Sequence, residues 1–188
     1  MDDYKAMLDE LNPEIPELNK RIVYFLQSMA GEDYDGILLL TYPGIFDMVP
    51  KKILREKIAS TFQSEDMAIT MDVFDINYIS KAIVAEDGRY VRVDYTLLMS
   101  LKIKEDLTLD EERRAEKKEL FLKSFKVAYG KNQFWFEELT QSYCFHKKNS
   151  MIAIENEKSP QWTFLTYQPG AAMEMFIPKS VCLLLDAG

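Results

Sequence analysis

The side chains most able to do chemistry are few: the chain has one histidine, His146, and two cysteines, Cys144 and Cys182. One histidine cannot supply a multi-histidine metal site, and no cysteine or histidine spacing fits zinc. A nucleophile activated by histidine would have to use His146, which precedes Lys147 and reads as a solvated residue at a strand end. The cysteines lie in apolar runs and read as small buried hydrophobic residues. We therefore expect no metal, no cofactor and no catalytic residue here.

Aspartates and a tyrosine in predicted strands are the remaining candidates for proton transfer, as in an isomerase or dehydratase. Asp94 is expected on a polar strand face opposite Lys81, where a cross-strand ion pair explains it. Tyr95 falls on the apolar face and is the better pocket candidate, although we favour the interpretation of a core tyrosine whose hydroxyl finds one hydrogen-bond partner. Asp72 and Asp75 flank a predicted β-bulge, and bulges can re-aim side chains near a site as well as bend a sheet.

These candidates depend on one long hairpin, predicted over residues 67–104. Asp87-Gly88 is a preferred pair for a two-residue type I′ turn. The register that such a turn sets pairs Phe74 with Leu101 on the apolar face. Apolar residues change from odd to even positions at Val73-Phe74, which predicts a bulge there.

Apolar periodicity and breaker residues predict the other elements. Asp33-Tyr34-Asp35 follows Gly31 at a kink between two helices, and its carboxylates are expected to cap the second one. A capping box at Thr108-x-x-Glu111 starts a charged helix that we expect to be anchored only through Leu120–Ala128. Pro178 opens a last helix that should bury Val181, Leu184 and Leu185. The predicted helices cover residues 4–11, 17–30, 34–41, 47–62, 109–129 and a segment after 178; the later strands cover 133–138, 142–147, 151–157 and 161–167.

Composition limits the classes of partner. The 188 residues are 47% hydrophobic and 29% charged, with a net charge of −8. This balance is typical of one globular domain, and the negative charge argues against nucleic acid or an anionic membrane as a partner. The first residues, Met1-Asp2-Asp3, lack the basic start of a signal peptide, and no apolar run is long enough to span a bilayer. We expect a cytoplasmic protein.

Helices followed by a bent hairpin and further antiparallel strands make an α+β order. The kink Gly31-Glu32-Asp33-Tyr34-Asp35, the segment Ile45-Phe46 and the helix after it resemble the front half of the nuclear transport factor 2-like (cystatin-like fold) superfamily. The resemblance covers about residues 18–167. It implies one domain over 1–188, a cone in which a curved antiparallel sheet wraps the N-terminal helices. Residues 1–16 add a helix and connector, 108–130 an inserted helix and 171–188 a C-terminal extension.

The resemblance also implies a pocket between the concave sheet face and the helices. Members of the superfamily include enzymes and binding proteins, and no catalytic motif of those enzymes matches this sequence. We expect a non-catalytic binding or interaction module that holds an apolar small molecule, with a homodimer through the sheet as a further possibility. The alternative is an isomerase or dehydratase that uses a pocket tyrosine and aspartate. The residues expected to line the pocket are Tyr42, Phe46, Phe62, Tyr95, Met99, Trp162 and Phe164.

Overall fold

The computed structural model describes residues 12–63, 66–104, 109–129, 134–170 and 172–186. Within them the chain forms five α-helices and one six-stranded sheet in which every pairing is antiparallel, so the predicted α+β class is confirmed. None of the described helices is both long and apolar enough to cross a bilayer. The helix predicted over 4–11 and the capping residue Thr108 lie outside the described residues.

The sheet has the order β1-β3-β5, with β2 beside β3, and with β4 and β6 both beside β5. Two short 3-10 turns, Pro43–Asp47 and Met173–Met175, complete the described elements. The helices are α1 (Pro16–Ala30), α2 (Tyr34–Leu40), α3 (Lys51–Phe62), α4 (Glu111–Tyr129) and α5 (Lys179–Asp186); the strands are β1 (Met67–Ile79), β2 (Ile83–Ala85), β3 (Gly88–Ile103), β4 (Phe134–Glu137), β5 (Ser142–Asn156) and β6 (Ser159–Thr166).

The kink between α1 and α2 follows the prediction. Glu32 has a φ of 54°, in the left-handed region that ends a right-handed helix, and Asp33 Oδ1 accepts a hydrogen bond from the Gly36 backbone N–H at 3.0 Å. Asp33 is therefore the N-cap of α2. A Cβ atom at Gly36 would lie only 2.5 Å from Ser28 Oγ on α1. The absence of a side chain there lets the two helices pack directly against each other.

The turn of the hairpin lies one residue earlier than predicted. Ala85 pairs with Gly88, so Glu86 and Asp87 form the turn, and the prediction of an Asp87-Gly88 turn is wrong. Gly88 is instead the first residue of β3. A Cβ atom on it would lie 2.5 Å from the Glu155 carbonyl oxygen of β5, and its φ is 158°. The glycine therefore serves the close approach of two strands.

The predicted register between β1 and β3 is also wrong. Leu101 pairs with Ile69 and not with Phe74. A register shift just after Val73 confirms the predicted bulge, and a second shift precedes Tyr78. Each shift adds a residue to β1 without a counterpart on β3, so a register extrapolated from the turn cannot hold along the whole strand.

The main hydrophobic core lies between α1 and the face of the sheet that α1 covers, here called the inner face. The odd-numbered residues of β3 point to this face, as strand alternation requires. They pack against three leucine and isoleucine side chains of α1 and the inner residues of β5 and β6. The buried residues of this inner core include Leu18, Ile22, Leu26, Val91, Val93, Tyr95, Leu97, Met99, Leu101, Phe145, Met151, Trp162 and Phe164.

A second core covers one end of the opposite, outer face. Tyr90, Ile152 and Ile154 on the sheet form this cluster together with residues that include Val181 and Leu185 of α5. Val181 and Leu185 are buried as predicted, because residues four apart share a helix face. Leu184 is 59% exposed, so its predicted burial is wrong. The C-terminal segment thus makes part of the sheet two-sided.

Strand β5 is continuous where two separate strands were predicted. Residues 147–150 pair with residues 94–97 of β3 and do not form a turn. Lys147, Lys148, Asn149 and Ser150 are polar or charged, which is why the sequence indicated a break. Within this run Lys148 is exposed, whereas Lys147, Asn149 and Ser150 are partly buried.

Helix α4 is attached more extensively than predicted. Phe125 packs against Phe134 and Phe145, with ring centroids 6.4 and 6.3 Å away, which confirms an anchor in the second half. Leu120 is 66% exposed, so its predicted anchoring role is wrong. In the first half, Lys117 Nζ lies 2.6 Å from Asp66 Oδ1, so that half also contacts the sheet side of the molecule.

Candidate functional site

The best-built candidate site is a cavity of about 580 Å³ at one end of the sheet, here called the Tyr42 cavity. It lies where the β2–β3 turn and the β5–β6 turn meet the first 3-10 turn and the segment before α5. Its walls are partly apolar and partly acidic. The lining residues are Tyr42, Gly44, Asp47, Met48, Glu86, Asp87, Asn156, Glu157, Lys158, Met175 and Phe176.

Tyr42 is fixed by its backbone and by a neighbouring glycine. Its N–H donates to the Phe164 carbonyl oxygen at 2.9 Å, which joins the end of α2 to β6. A Cβ atom on Gly44 would lie 2.5 Å from Cε1 of the Tyr42 ring, so the ring occupies the space over that glycine. Pro43 then starts the 3-10 turn. These contacts hold the ring at the cavity wall with only 3% of its surface exposed.

A hydrogen-bond network underlies the wall. Asn156 Nδ2 donates to the Tyr42 hydroxyl at 3.1 Å, and Asn156 Oδ1 accepts from the Ser159 backbone N–H at 3.0 Å. The Tyr90 hydroxyl donates to Asp87 Oδ2 at 2.7 Å. Burial and the hydrogen bond to Asp87 raise the pKa of Tyr90, which therefore stays a protonated donor. The network fixes an amide, a hydroxyl and a carboxylate at one rim.

The charge of the cavity is negative. Its walls carry the carboxylates of Asp47, Glu86, Asp87 and Glu157 and one ammonium group, that of Lys158. Lys158 Nζ lies 2.7 Å from Asp47 Oδ2, and this hydrogen bond raises the pKa of Lys158. The other three carboxylates have no described cation of the cavity wall to offset them. Such a field attracts positively charged solutes.

The structure separates the seven residues predicted to line a pocket. Tyr42 lines the cavity just described, whereas four of the others belong to the inner core. Those four are Tyr95, Met99, Trp162 and Phe164, each at most 5% exposed. That they bind a ligand stays a prediction.

The last two of the predicted residues lie away from both groups. Phe62 is buried at the end of α3, with its ring centroid 5.8 Å from that of Tyr34. Phe46 is half-buried in the first 3-10 turn, with Lys51 Nζ 5.8 Å from its ring. The structure therefore does not bring the seven side chains to one place.

Tyr95 and the bulge aspartates do not form an acid–base pair. Asp72 and Asp75 pair with Leu98 and Thr96, which alternate with Tyr95 and point to the outer face. Tyr95 points to the inner face, and burial raises its pKa to about 12. Its hydroxyl makes no hydrogen bond to any described residue. Tyr95 and the two aspartates are therefore assigned to opposite faces of the sheet by the strand pairing.

Asp94 and His146 also differ from their predictions. Asp94 Oδ1 accepts a hydrogen bond from Arg92 Nε at 2.8 Å, so the ion pair with Lys81 is wrong. His146 lies inside β5 and not at a strand end, half-buried, with its ring 5.2 Å from that of Trp135. Both errors follow from the strand boundaries and register, which decide a side chain's neighbours.

Sequence reasoning missed Asp87, Tyr90 and Asn156 as a group. In the sequence Asp87 indicates only a turn, and no motif marks Tyr90 or Asn156. The one local signal is Asp87 three residues before Tyr90 across the turn, a spacing that lets the carboxylate reach the hydroxyl. Asn156 is brought beside them by the pairing of β3 with β5, in which Gly88 lies opposite Asn156.

Within the described residues, no group of three or more His, Cys, Asp or Glu side chains has a metal-binding arrangement. A comparison of the chain with protein-family models and with curated proteins finds no match. The functional interpretation below is therefore based on the lining residues, charge and hydrogen bonds of the Tyr42 cavity.

Proposed function

We propose that the protein is a non-catalytic binding module that holds a small organic cation in the Tyr42 cavity. The observation that carries this proposal is the network that fixes Tyr42, Asn156 and Asp87 at the rim of an acidic, partly apolar cavity. A volume of about 580 Å³ suits a small molecule, since ligand pockets span roughly 300–1,000 Å³.

The walls suit a molecule with a positive end and an apolar body. Asp87 gives one oxygen, Oδ2, to Tyr90, and its Oδ1 is not engaged by any described residue. An ammonium group beside Oδ1 would gain a charge-assisted hydrogen bond. Met48, Met175 and Phe176 offer apolar surface for the rest of the ligand. Aromatic rings also attract cations, which adds to the preference for a positive charge.

Binding explains the network better than catalysis does. Proton transfer needs a titratable group within hydrogen-bond reach of the reacting atom. Tyr90 has no exposed surface, so its hydroxyl can position Asp87 but cannot touch a bound molecule. The isomerase or dehydratase predicted as the alternative would have to use Tyr42 and Asp87, the tyrosine and the aspartate of the network that line the cavity.

Three further predictions from the sequence are part of this proposal. The nuclear transport factor 2-like cone is supported by the order of elements and by the bends in β1, and the inner core would be the place for an apolar ligand. A cytoplasmic location agrees with two buried cysteines that are not joined in a disulfide. A homodimer through the sheet would use the uncovered part of the outer face.

The test is a titration with 2-phenylethylamine and with its neutral counterpart 2-phenylethanol, followed by calorimetry. We expect the amine to bind and the alcohol to bind at least fivefold more weakly. Asp87→Asn keeps an acceptor for Tyr90 but removes the charge, and it should weaken amine binding about fivefold, or about 1 kcal/mol, as expected for an exposed ion pair. Glu56→Gln removes one charge from the exposed face of α3 and is the matched control.

Equal binding of the amine and the alcohol would show that the negative charge does not select the ligand. An equal loss in Asp87→Asn and Glu56→Gln would show that only the net charge of the protein matters. Either result would remove the proposed site. Thermal unfolding of both variants checks that the fold is unchanged.

A further inference from the structure

The Tyr42 hydroxyl keeps an unused hydrogen-bond donor at the wall of the Tyr42 cavity. Its oxygen accepts from Asn156 Nδ2 at 3.1 Å, but its own O–H donates to no described residue. The two side chains of this hydrogen bond both line the cavity, and Tyr42 is otherwise buried. A buried donor that lacks an acceptor is unfavourable. A ligand that brings an acceptor oxygen to this hydroxyl would therefore bind more tightly than one that does not.

Lys158 provides a second donor beside this hydroxyl. The hydrogen bond to Asp47 raises the pKa of Lys158, and the Tyr42 hydroxyl is near enough to add to that rise. An ammonium group has three N–H donors, and Asp47 Oδ2 accepts one of them at 2.7 Å. The Lys158 side chain is 60% exposed, so its other N–H groups are accessible from the cavity. One acceptor oxygen of a ligand could thus be shared by Tyr42 and Lys158.

The carboxylate that suits a positive charge lies close to these two donors. Burial raises the pKa of Tyr90, and a hydrogen bond from the Asn156 side chain opposes that rise. Tyr90 in turn donates to Asp87 Oδ2 at 2.7 Å. Three successive hydrogen bonds therefore connect Tyr42 to Asp87, which places their oxygens within about 10 Å of each other. An ammonium group and a carbonyl oxygen on adjacent carbon atoms, with a hydrogen bond at each end, span a distance of this kind.

Two exposed methionines provide the apolar part of the site. Met48 and Met175 line the cavity and are each more than half exposed. Methionine side chains are flexible and adapt to apolar groups of different shapes. Phe176 lies half-buried in the same wall. The site can therefore accept an apolar side chain without a strict requirement for its shape.

The charge of the cavity indicates that the carbonyl group belongs to an amide. A free amino acid would bring its carboxylate among four carboxylates and a single ammonium group. A peptide bond offers the same carbonyl oxygen without a charge. Glu86 and Glu157 are exposed at the mouth of the cavity, so a chain that follows the carbonyl group can leave toward solvent.

We propose that the Tyr42 cavity binds the N-terminal residue of a peptide that begins with an apolar side chain. The α-ammonium group contacts Asp87 Oδ1, and the first carbonyl oxygen accepts from Tyr42 and Lys158. The apolar side chain packs against Met48 and Met175. This inference rests on the proposed binding of an organic cation, to which it adds the carbonyl group and the chain beyond it.

The test compares ligands by calorimetry at about pH 6, where α-amino groups are protonated and the carboxylates are ionised. Phenylalaninamide and 2-phenylethylamine have the same charge and ring and differ in the carboxamide. Phenylalaninamide should bind at least fivefold more tightly than 2-phenylethylamine and than free phenylalanine. N-acetylphenylalaninamide, which lacks the charge, should not bind at the same concentration. Phenylalanylglycinamide, which extends the chain, should bind at least as tightly as phenylalaninamide.

Tyr42→Phe removes the donor and keeps the ring. It should abolish the advantage of phenylalaninamide over 2-phenylethylamine, and it should change binding of 2-phenylethylamine less than twofold. Tyr24→Phe, at an exposed position on α1, is the matched control and should keep the advantage. Thermal unfolding checks the fold of both variants, and the comparison of ligands on the unaltered protein does not depend on either of them.

Equal binding of phenylalaninamide and 2-phenylethylamine would overturn this inference and leave the proposed cation site intact. An equal loss of both ligands in Tyr42→Phe would assign the hydroxyl a structural role alone, with the same consequence. Weaker binding of phenylalanylglycinamide than of phenylalaninamide would show that the cavity does not let the chain continue. Equal binding of 2-phenylethylamine and 2-phenylethanol would instead remove the proposed function, and this inference with it.

Discussion

Replacement of Trp162 by alanine tests whether the inner core is fully packed or contains a ligand cavity. Trp162 is 2% exposed, and the Arg89 guanidinium lies 5.0 Å from its ring centroid. Truncation of a fully buried tryptophan costs about 3–5 kcal/mol through lost burial and the void that remains. Loss of the cation–π contact of an exposed arginine adds about 0.5 kcal/mol. We expect Trp162→Ala to lower the free energy of unfolding by about 4 kcal/mol.

The assay is urea unfolding followed by far-UV circular dichroism, because the substitution itself alters tryptophan fluorescence. The chain provides a matched control in Trp135, which is 40% exposed and contacts His146 edge-on. Trp135→Ala should cost about 1 kcal/mol, because much less apolar surface leaves a buried environment. Binding of an apolar fluorescent dye to each protein is measured in parallel.

A loss below about 2 kcal/mol for Trp162→Ala would refute the packed core, since that is less than full truncation costs. Dye binding by the unaltered protein, reduced in Trp162→Ala, would then identify an interior cavity and support the apolar ligand predicted from the sequence. A large loss with no dye bound to the unaltered protein would remove the interior site.

Three other changes have expected outcomes. Tyr95→Phe should be nearly neutral at pH 7, because the Tyr95 hydroxyl has no hydrogen-bond partner among the described residues. Burial raises the pKa of Tyr95 in the folded protein to about 12, so above pH 10 the hydroxyl ionises more readily in the unfolded chain. Between pH 10 and pH 12 the free energy of unfolding, measured in urea, should therefore fall by about 2–3 kcal/mol more in the unaltered protein than in Tyr95→Phe. Gly88→Ala should lower the free energy of unfolding by about 2 kcal/mol or more, because the added methyl group would collide with β5. Gly170 has a φ of 137° but open space around it, so Gly170→Ala should show only the cost of the backbone conformation, about 1 kcal/mol. Thermal unfolding measures both. Asp94→Asn should cost about 1–2 kcal/mol, because it leaves the half-buried Arg92 guanidinium without its carboxylate, and a loss near zero in urea unfolding would show that the pair contributes nothing.

Local features of the fold were predictable from the sequence. The kink at Asp33, its capping role and the bulge after Val73 depend on neighbouring residues and on apolar periodicity, and the structure confirms all three. The long-range register was not predictable in the same way. The turn lies one residue away from its predicted position, and two bulges then shift the register further. Asp94 and its neighbours along the hairpin therefore have different cross-strand partners from those predicted.

The candidate site was even less accessible to sequence reasoning. Apolar periodicity identified Tyr95, Met99, Trp162 and Phe164 as inward-facing residues, and they are buried. Periodicity cannot distinguish a side chain in a filled core from one at a cavity wall, because both face inward. The Tyr42 cavity arises where four turns and segments meet, and such junctions depend on topology.

The bends in β1 have a further consequence for how molecules of this protein meet one another. Strand β1 is the last strand on its side of the sheet, and among the described residues its outer edge has a bridge only from Gln63 to Ala68. A straight, open edge is a template on which strands of other chains can add and aggregate. Two register shifts within 13 residues interrupt the regular row of donors and acceptors and increase the twist. Removal of the residues that cause these bulges would therefore be expected to produce a more regular strand and, in light scattering, a protein that polymerises.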